Sequence, residues 1–287
     1  MPELPEVETI KRSLQPLLNK KRIEQVEIYQ PVVVAHPSAA AFRKGLLGRR
    51  IVGFDRRGKY LILWLDGEGR LVVHLRMTGR LLYTNGEEPV AKHTHLIFFL
   101  DDGQQLRYCD TRRFGRLWLL EKGEKDVYTG MEKLGPEPFA SAFGAAYLCN
   151  ALCNRHITIK QALLDQSVVA GLGNIYTDEA LFVARIHPAR LVDTLEFAEW
   201  EALAKAILQV LASSIENHGT SFRDYMDSLG RRGENLAHLY VYAQKGKPCK
   251  ICGQPVERTV LAGRSTFYCP HCQPLAEYEK ERKDRKC

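Results

Sequence analysis

Apolar residues near the start of the chain, Val7, Ile10, Leu14 and Leu17, recur every three or four positions and outline one face of a helix. Pro5 suits the first helical position, where no N–H is required, and Glu6 and Glu8 lie where the helix dipole is positive. Pro16 is expected to end or kink the helix, since it has no N–H for an interior turn. Short runs rich in Val, Ile, Leu, Phe and Tyr follow at 22–29, 50–55, 59–66, 70–77, 94–100, 104–110 and 115–121. The stretches Asp66-Gly67-Glu68-Gly69 and Asp101-Asp102-Gly103 between them have hairpin chemistry. Short strands at this spacing predict a sandwich or barrel.

Residues 130–141, with Gly135-Pro136-Glu137-Pro138, read as a linker, after which the pattern turns helical. Helices are predicted at 159–164, 174–184 and 197–215, the last with Phe197, Trp200, Leu203, Ile207, Val210 and Leu211 on an apolar stripe. A turn with two glycines, Gly171 and Gly173, precedes Asn174. The stretch 277–286 is almost wholly charged and reads as a frayed helix or disordered tail. The fold class is α+β: a helix and β-sandwich domain at 2–130, a linker at 131–150, a helical domain at 151–225, a hairpin unit at 238–272 and a tail at 273–287.

Composition narrows the class. The 287 residues are 45% hydrophobic and 26% charged, which excludes chain-wide disorder. Apolar runs such as 61–65 and 96–100 fall far short of the roughly 20 residues that span a bilayer. Met1-Pro2-Glu3-Leu4-Pro5-Glu6 is acidic and unlike a signal peptide, so a cytoplasmic protein is expected. The net charge, 41 − 34 = +7, favours association with nucleic acid without deciding function. Cys249-x-x-Cys252 and Cys269-x-x-Cys272 are separated by sixteen residues, a spacing that predicts one structural zinc ion. Two disulfides would conflict with a reducing compartment. Cys109, Cys149 and Cys153 read as small apolar residues and Cys287 as an exposed tail thiol.

Several motifs converge on one family. They are Pro2-Glu3-Leu4-Pro5-Glu6-Val7-Glu8-Thr9, Arg57-Gly58-Lys59-Tyr60, His74-Leu75-Arg76-Met77, Arg112-Arg113-Phe114-Gly115, Leu164-Asp165-Gln166 through Gly173-Asn174-Ile175-Tyr176, and the four-cysteine hairpin carrying Arg264. From residue 2 to about Cys272 the chain resembles the bacterial formamidopyrimidine-DNA glycosylases. The resemblance implies a helix-two-turns-helix domain, a zinc finger, and base excision repair of oxidised purines. The implied enzyme is a glycosylase and abasic-site lyase working through β,δ-elimination, with damaged double-stranded DNA as partner and a monomeric state.

The residues suit that chemistry. Removal of Met1 would give Pro2 a secondary amine that titrates near pH 8, a usable nucleophile at neutral pH. The resemblance implies that Glu3 is the acid/base that opens the sugar ring and that Glu6 positions the site. Glu8 is accounted for by the helix dipole. Chemistry on a base needs the base out of the duplex, and the gap must be filled. The resemblance gives that task to Met77, read as ending a strand, and to Arg112 and Phe114 in the loop before Gly115. It places Lys59, His74, Asn174, Tyr242 and Arg264 on the DNA backbone, with Lys59 and Arg264 also in the catalytic set. The 218–225 segment corresponds to the family's lesion-recognition loop, in which Thr220 and Phe222, like Thr78 after Met77, are variable positions.

Two other readings compete. A related endonuclease VIII-like glycosylase for oxidised pyrimidines shares Pro-Glu and zinc, but Met77, Arg112 and Phe114 favour the purine branch. A non-catalytic zinc DNA-binding protein would have no use for a free N-terminal proline.

Overall fold

The computed structural model describes residues 1–222 and 225–275. Residues 223–224 and the expected tail from 276 onward, with Cys287, lie outside the described residues. Contacts divide the chain into two units: Met1–Lys133 with Ser214–Leu236, and Leu134–Ser213 with the chain from Ala237.

The first unit opens with α1 (Leu4–Leu18), which buries Leu4, Val7, Ile10, Leu14 and Leu18. The stripe therefore ends on Leu18 rather than Leu17, and Pro16 lies inside the helix instead of ending it. Pro16 faces solvent in the last turn, so its missing N–H frees only the carbonyl of exposed Arg12, which water can satisfy.

The strands are β1 (Ile23–Ile28), β2 (Val34–His36), β3 (Ile51–Arg57), β4 (Tyr60–Leu65), β5 (Arg70–His74), β6 (Gly79–Asn85), β7 (Thr94–Leu100), β8 (Gln104–Asp110) and β9 (Arg116–Leu120), with α2 (Ala39–Leu46) after β2. They form two sheets, ordered β2-β9-β5-β4-β3 and β1-β7-β8-β6. Leu61, Leu63 and Leu65 of β4, Leu71 and Val73 of β5, and Leu117 and Leu119 of β9 alternate into a core shared with Leu96, Phe98 and Leu100 of β7 and Leu106 and Tyr108 of β8. A one-residue slip of β4 would expose three leucines at roughly 1.5–3 kcal/mol each, comparable with a whole domain's ~5–15 kcal/mol. Register is thereby fixed. A bulge after Ile23 lets both Ile23 and Val26 of β1 face the core. Helix α1 adds Val7, Ile10, Leu14 and Leu18 to the same cluster and packs on β3, β4 and β6.

Three elements were not expected. In α2 the side chain of Ser38 accepts from the Ala41 N–H at 3.3 Å, while only Phe42 and Leu46 are buried, too few to show a period. Strand β2 has three residues and β6 buries little beyond Leu81. Strand β5 also stops at His74 rather than 77, because Arg76 turns the chain at φ +54. Ser214–Leu236 belongs to this unit through Tyr225, which joins the core.

The second unit contains α3 (Ala145–Leu152), which starts inside the stretch expected as a linker and runs past its end, then α4 (Ile159–Leu164), α5 (Asn174–Val183), most of α6 (Phe197–Glu216) and the hairpin β10 (Glu257–Leu261) and β11 (Arg264–Tyr268). Thr158 caps α4 by accepting from the Gln161 N–H at 3.2 Å. Trp200, Leu203, Ile207 and Leu211 of α6 are buried, whereas Phe197, expected on that stripe, is 55% exposed at the first helical residue. Helix α5 is buried from Ile175 through Phe182. No described helix is long and apolar enough to cross a membrane.

Candidate active site and nucleic-acid interface

Each unit carries part of the expected site. In the first, Pro2 is buried beside the partly exposed Met1. Glu3 caps α1, and its backbone N–H donates to Glu6 Oε2 at 2.8 Å. Glu6 Oε1 accepts from the Thr220 N–H at 2.8 Å. One buried carboxylate thus holds both the N-terminus and the segment after α6. Gly219 is needed beside it: φ is +81, and a Cβ there would lie 3.0 Å from Glu6 Cγ. Glu8 is differently employed. Burial pushes its carboxyl up, yet Lys11, Arg12 and Arg56 hold it below the ordinary value, at 3.1, 2.9 and 3.1 Å.

Lys59 follows Gly58 (φ +55) in the tight turn from β3 to β4, and His74 ends β5; both are buried. His74 Nδ1 accepts from the Arg76 N–H at 3.0 Å, which places the proton of the neutral ring on Nε2. Burial, with Arg76 and Lys59 nearby, pushes the imidazole pKa down to about 3. The Tyr60 ring meets it edge-on at 4.5 Å, and the Tyr60 hydroxyl donates to the Thr129 carbonyl at 2.9 Å. His74 is therefore a neutral N–H donor at physiological pH.

Met77 sits within the turn joining β5 to β6 rather than on a strand end, and its side chain is exposed. Arg112 and Phe114 are exposed in the loop between β8 and β9, with the guanidinium carbon 4.5 Å from the ring centroid. Large apolar groups exposed on tight loops are suited to insertion.

In the second unit α5 organises the other residues. Gly173 caps it and Asn174 is its first residue. The preceding turn is held by Gln166, which accepts from the Gly171 N–H at 3.1 Å and donates to the Leu172 carbonyl at 2.6 Å. Asn174 Nδ2 donates to the Ser265 carbonyl at 2.8 Å, one residue from Arg264. Arg264 itself is exposed at the start of β11, after a two-residue turn through Ala262 (φ +48) and Gly263 (φ +70). Asp178 Oδ2 accepts from the Phe267 N–H at 3.0 Å, while Oδ1 pairs with buried Lys160. Glu179, also buried, accepts the N–H groups of Tyr240, Val241 and Tyr242 at 2.8–2.9 Å. One helix thus fixes Asn174, the strand of Arg264 and the backbone of Tyr242.

The Sγ atoms of Cys249, Cys252, Cys269 and Cys272 lie within 4.8 Å of one another and could hold a metal ion. Cys249 and Cys272 are 3.9 Å apart, Cys252 and Cys269 3.5 Å. Backbone N–H groups of Ile251 and Cys272 approach Cys249 Sγ and Cys269 Sγ at 3.5 Å.

The sequence reading missed Asp110, Asp178 and Glu179. Asp178 and Glu179 do lie between apolar residues of α5, a weak hint that they need buried partners, whereas Asp110, followed by Thr111-Arg112-Arg113, carries no such signal.

Comparison with known proteins yields a consistent set of similarities. Family models described as "Formamidopyrimidine-DNA glycosylase N-terminal domain", "Formamidopyrimidine-DNA glycosylase H2TH domain" and "Zinc finger found in FPG and IleRS" match residues 1–117, 134–226 and 246–275. A formamidopyrimidine-DNA glycosylase from Moorella thermoacetica is 54% identical over 258 residues, covering 90% of this chain and 94% of its own. A solved Lactococcus lactis FPG mutant, in complex with Fapy-dG-containing DNA, has a TM-score of 0.90 and 36% identity, covering 96% of this chain and 100% of its own. A MutM structure in complex with DNA containing carbocyclic 8-oxo-G has a TM-score of 0.89 and 36% identity, covering 96% and 100%.

Proposed function

The chain belongs to the formamidopyrimidine-DNA glycosylase family, and from that premise we propose that it excises oxidised purines from double-stranded DNA and cleaves the abasic site it creates. The observation that carries the reading is the use of both Glu6 oxygens, which holds the N-terminus against the Thr220 segment and leaves Glu3 beside Pro2.

With Met1 removed, the Pro2 nitrogen attacks C1′, and the bond from C1′ to the base breaks with its electrons leaving on the base. The Pro2 nitrogen then gives its proton to Glu3, and the lone pair so freed forms an iminium as the C1′–O4′ bond opens, Glu3 passing that proton on to O4′. A secondary amine gives a cationic iminium that draws electrons from C2′. Loss of a C2′ proton expels the 3′ phosphate, a second elimination expels the 5′ phosphate, and water hydrolyses the remaining link to Pro2.

Met77, Arg112 and Phe114 fill the space of the extruded nucleotide, Arg112 facing the orphaned base. Lys59, neutral His74, Asn174, Tyr242 and Arg264 grip the phosphates. Zinc fits the four thiolates: bonds of about 2.3 Å to a tetrahedron require Sγ separations of about 3.8 Å. When bound, zinc cross-links the hairpin and, with four thiolates, offers no open position for water.

The test is incubation with duplexes holding 8-oxoguanine, an oxidised pyrimidine or no lesion. Release of the purine with a gap ended by phosphates on both sides is expected. Preferential release of the pyrimidine, or binding without release of any base, would overturn the reading.

A further inference from the structure

Met77 and the Arg112/Phe114 pair lie on separate loops, yet a single carboxylate joins those loops. Asp110, the last residue of β8, is 1% exposed. Its Oδ1 accepts from the Thr78 hydroxyl through a short hydrogen bond and from the Arg112 N–H at 3.1 Å. The same N–H lies 3.2 Å from Thr78 Oγ1. Its Oδ2 accepts from the Tyr108 hydroxyl at 3.0 Å and from the Gly115 N–H at 2.9 Å. Burial works against the charge, but these four donors hold the carboxyl below its ordinary value.

Each loop also carries a strained residue beside its gap filler. Arg76 (φ +54) precedes Met77, and Arg113 (φ +56) separates Arg112 from Phe114. Left-handed backbone at non-glycine residues persists only where the surroundings over-determine it. The surroundings are tight: a Cβ on Gly115 would lie 2.0 Å from the Tyr108 hydroxyl, and one on Gly79 2.9 Å from it.

We infer that Asp110 is a positioning residue that sets the Met77 turn and the 112–114 loop in one geometry, so that both enter the gap left by an extruded base together. The inference rests on the reading of Met77, Arg112 and Phe114 as gap fillers. Only a carboxylate accepts at every lone pair. An amide here would turn its NH₂ toward two donors, either Thr78 and Arg112 or Tyr108 and Gly115, and release one loop.

The experiment compares Asp110→Asn, Thr78→Val and Arg112→Ala with the unaltered enzyme in two assays. The first is single-turnover excision of 8-oxoguanine opposite cytosine and opposite adenine. The second is borohydride trapping on a single-stranded abasic oligonucleotide, which presents no gap to fill. Asp110→Asn is expected to slow duplex excision about tenfold or more, as loss of hydrogen bonds to a buried charge implies, and to move the cytosine-to-adenine ratio toward that of Arg112→Ala. Its trapping should stay within about twofold of the unaltered enzyme. Thr78→Val should show a smaller loss in the same direction. Excision by Asp110→Asn within about twofold of normal, while Arg112→Ala is impaired, overturns the inference. Equal loss in both assays also overturns it, since it assigns Asp110 to the fold at large. An unimpaired Arg112→Ala removes the gap-filling reading itself.

Discussion

Lowering the pH tests the buried, neutral state of His74. In the folded chain its pKa is about 3, whereas in the unfolded chain it is near 6.5. Below pH 6.5 the unfolded chain takes up a proton that the folded chain refuses, so stability falls as pH drops from 6.5 toward 3 and is independent of this group above 6.5. The slope approaches 1.4 kcal/mol per pH unit, and its integral from pH 6.5 to 5.0 is roughly 1.6 kcal/mol. His74→Gln has no proton to gain, and its amide can still accept from the Arg76 N–H. Urea unfolding of the first unit is measured at both pH values for both proteins. The unaltered protein should lose roughly 1.6 kcal/mol more than the variant on acidification. Other titrating groups are common to both and cancel. Parallel losses would show that His74 is solvated or charged in the folded state, and would refute the role proposed for it as a neutral donor to phosphate.

Three further outcomes are expected. Arg112→Ala should erase most of any preference for lesions opposite cytosine over adenine, since a bidentate base contact discriminates by ~1–3 kcal/mol; an unchanged rate ratio would place the discrimination elsewhere. Removing the metal, by chelation or Cys249→Ser, should abolish tight DNA binding while the first unit still unfolds cooperatively, and tight binding by metal-free protein would contradict this. Gly219→Ala should cost about 1 kcal/mol or more and slow excision, because φ +81 and the Glu6 side chain both oppose a methyl group; unchanged melting and unchanged rate would show that the Glu6 contact is not used.

The β-sandwich was legible where side chains commit to one face, as in Leu61, Leu63 and Leu65. Strand β6 was not, because it buries little beyond Leu81, and α2 rests on two core residues and a serine cap. Cysteine spacing announced the four-thiol cluster because four cysteines on two knuckles leave a local pattern. Glu6 could be placed near Pro2 from helical geometry, but its bond to Thr220 spans 214 residues and no local pattern carries it. Asp110, Asp178 and Glu179 gave little sign of their partners in the sequence: Asp178 and Glu179 are satisfied by backbone N–H groups from distant segments, and Asp110 by the loop that follows it together with the distant Thr78 hydroxyl. The neutrality of His74 likewise follows from burial, which composition does not record.

The central claim is that Pro2, as a free secondary amine, forms the covalent link to DNA. Borohydride reduction during turnover on a duplex containing 8-oxoguanine, followed by proteolysis and mass spectrometry, tests it directly. The expected result is a stable adduct on the nitrogen of Pro2 in protein lacking Met1. An adduct on any lysine, or full activity in protein that retains Met1, would contradict it.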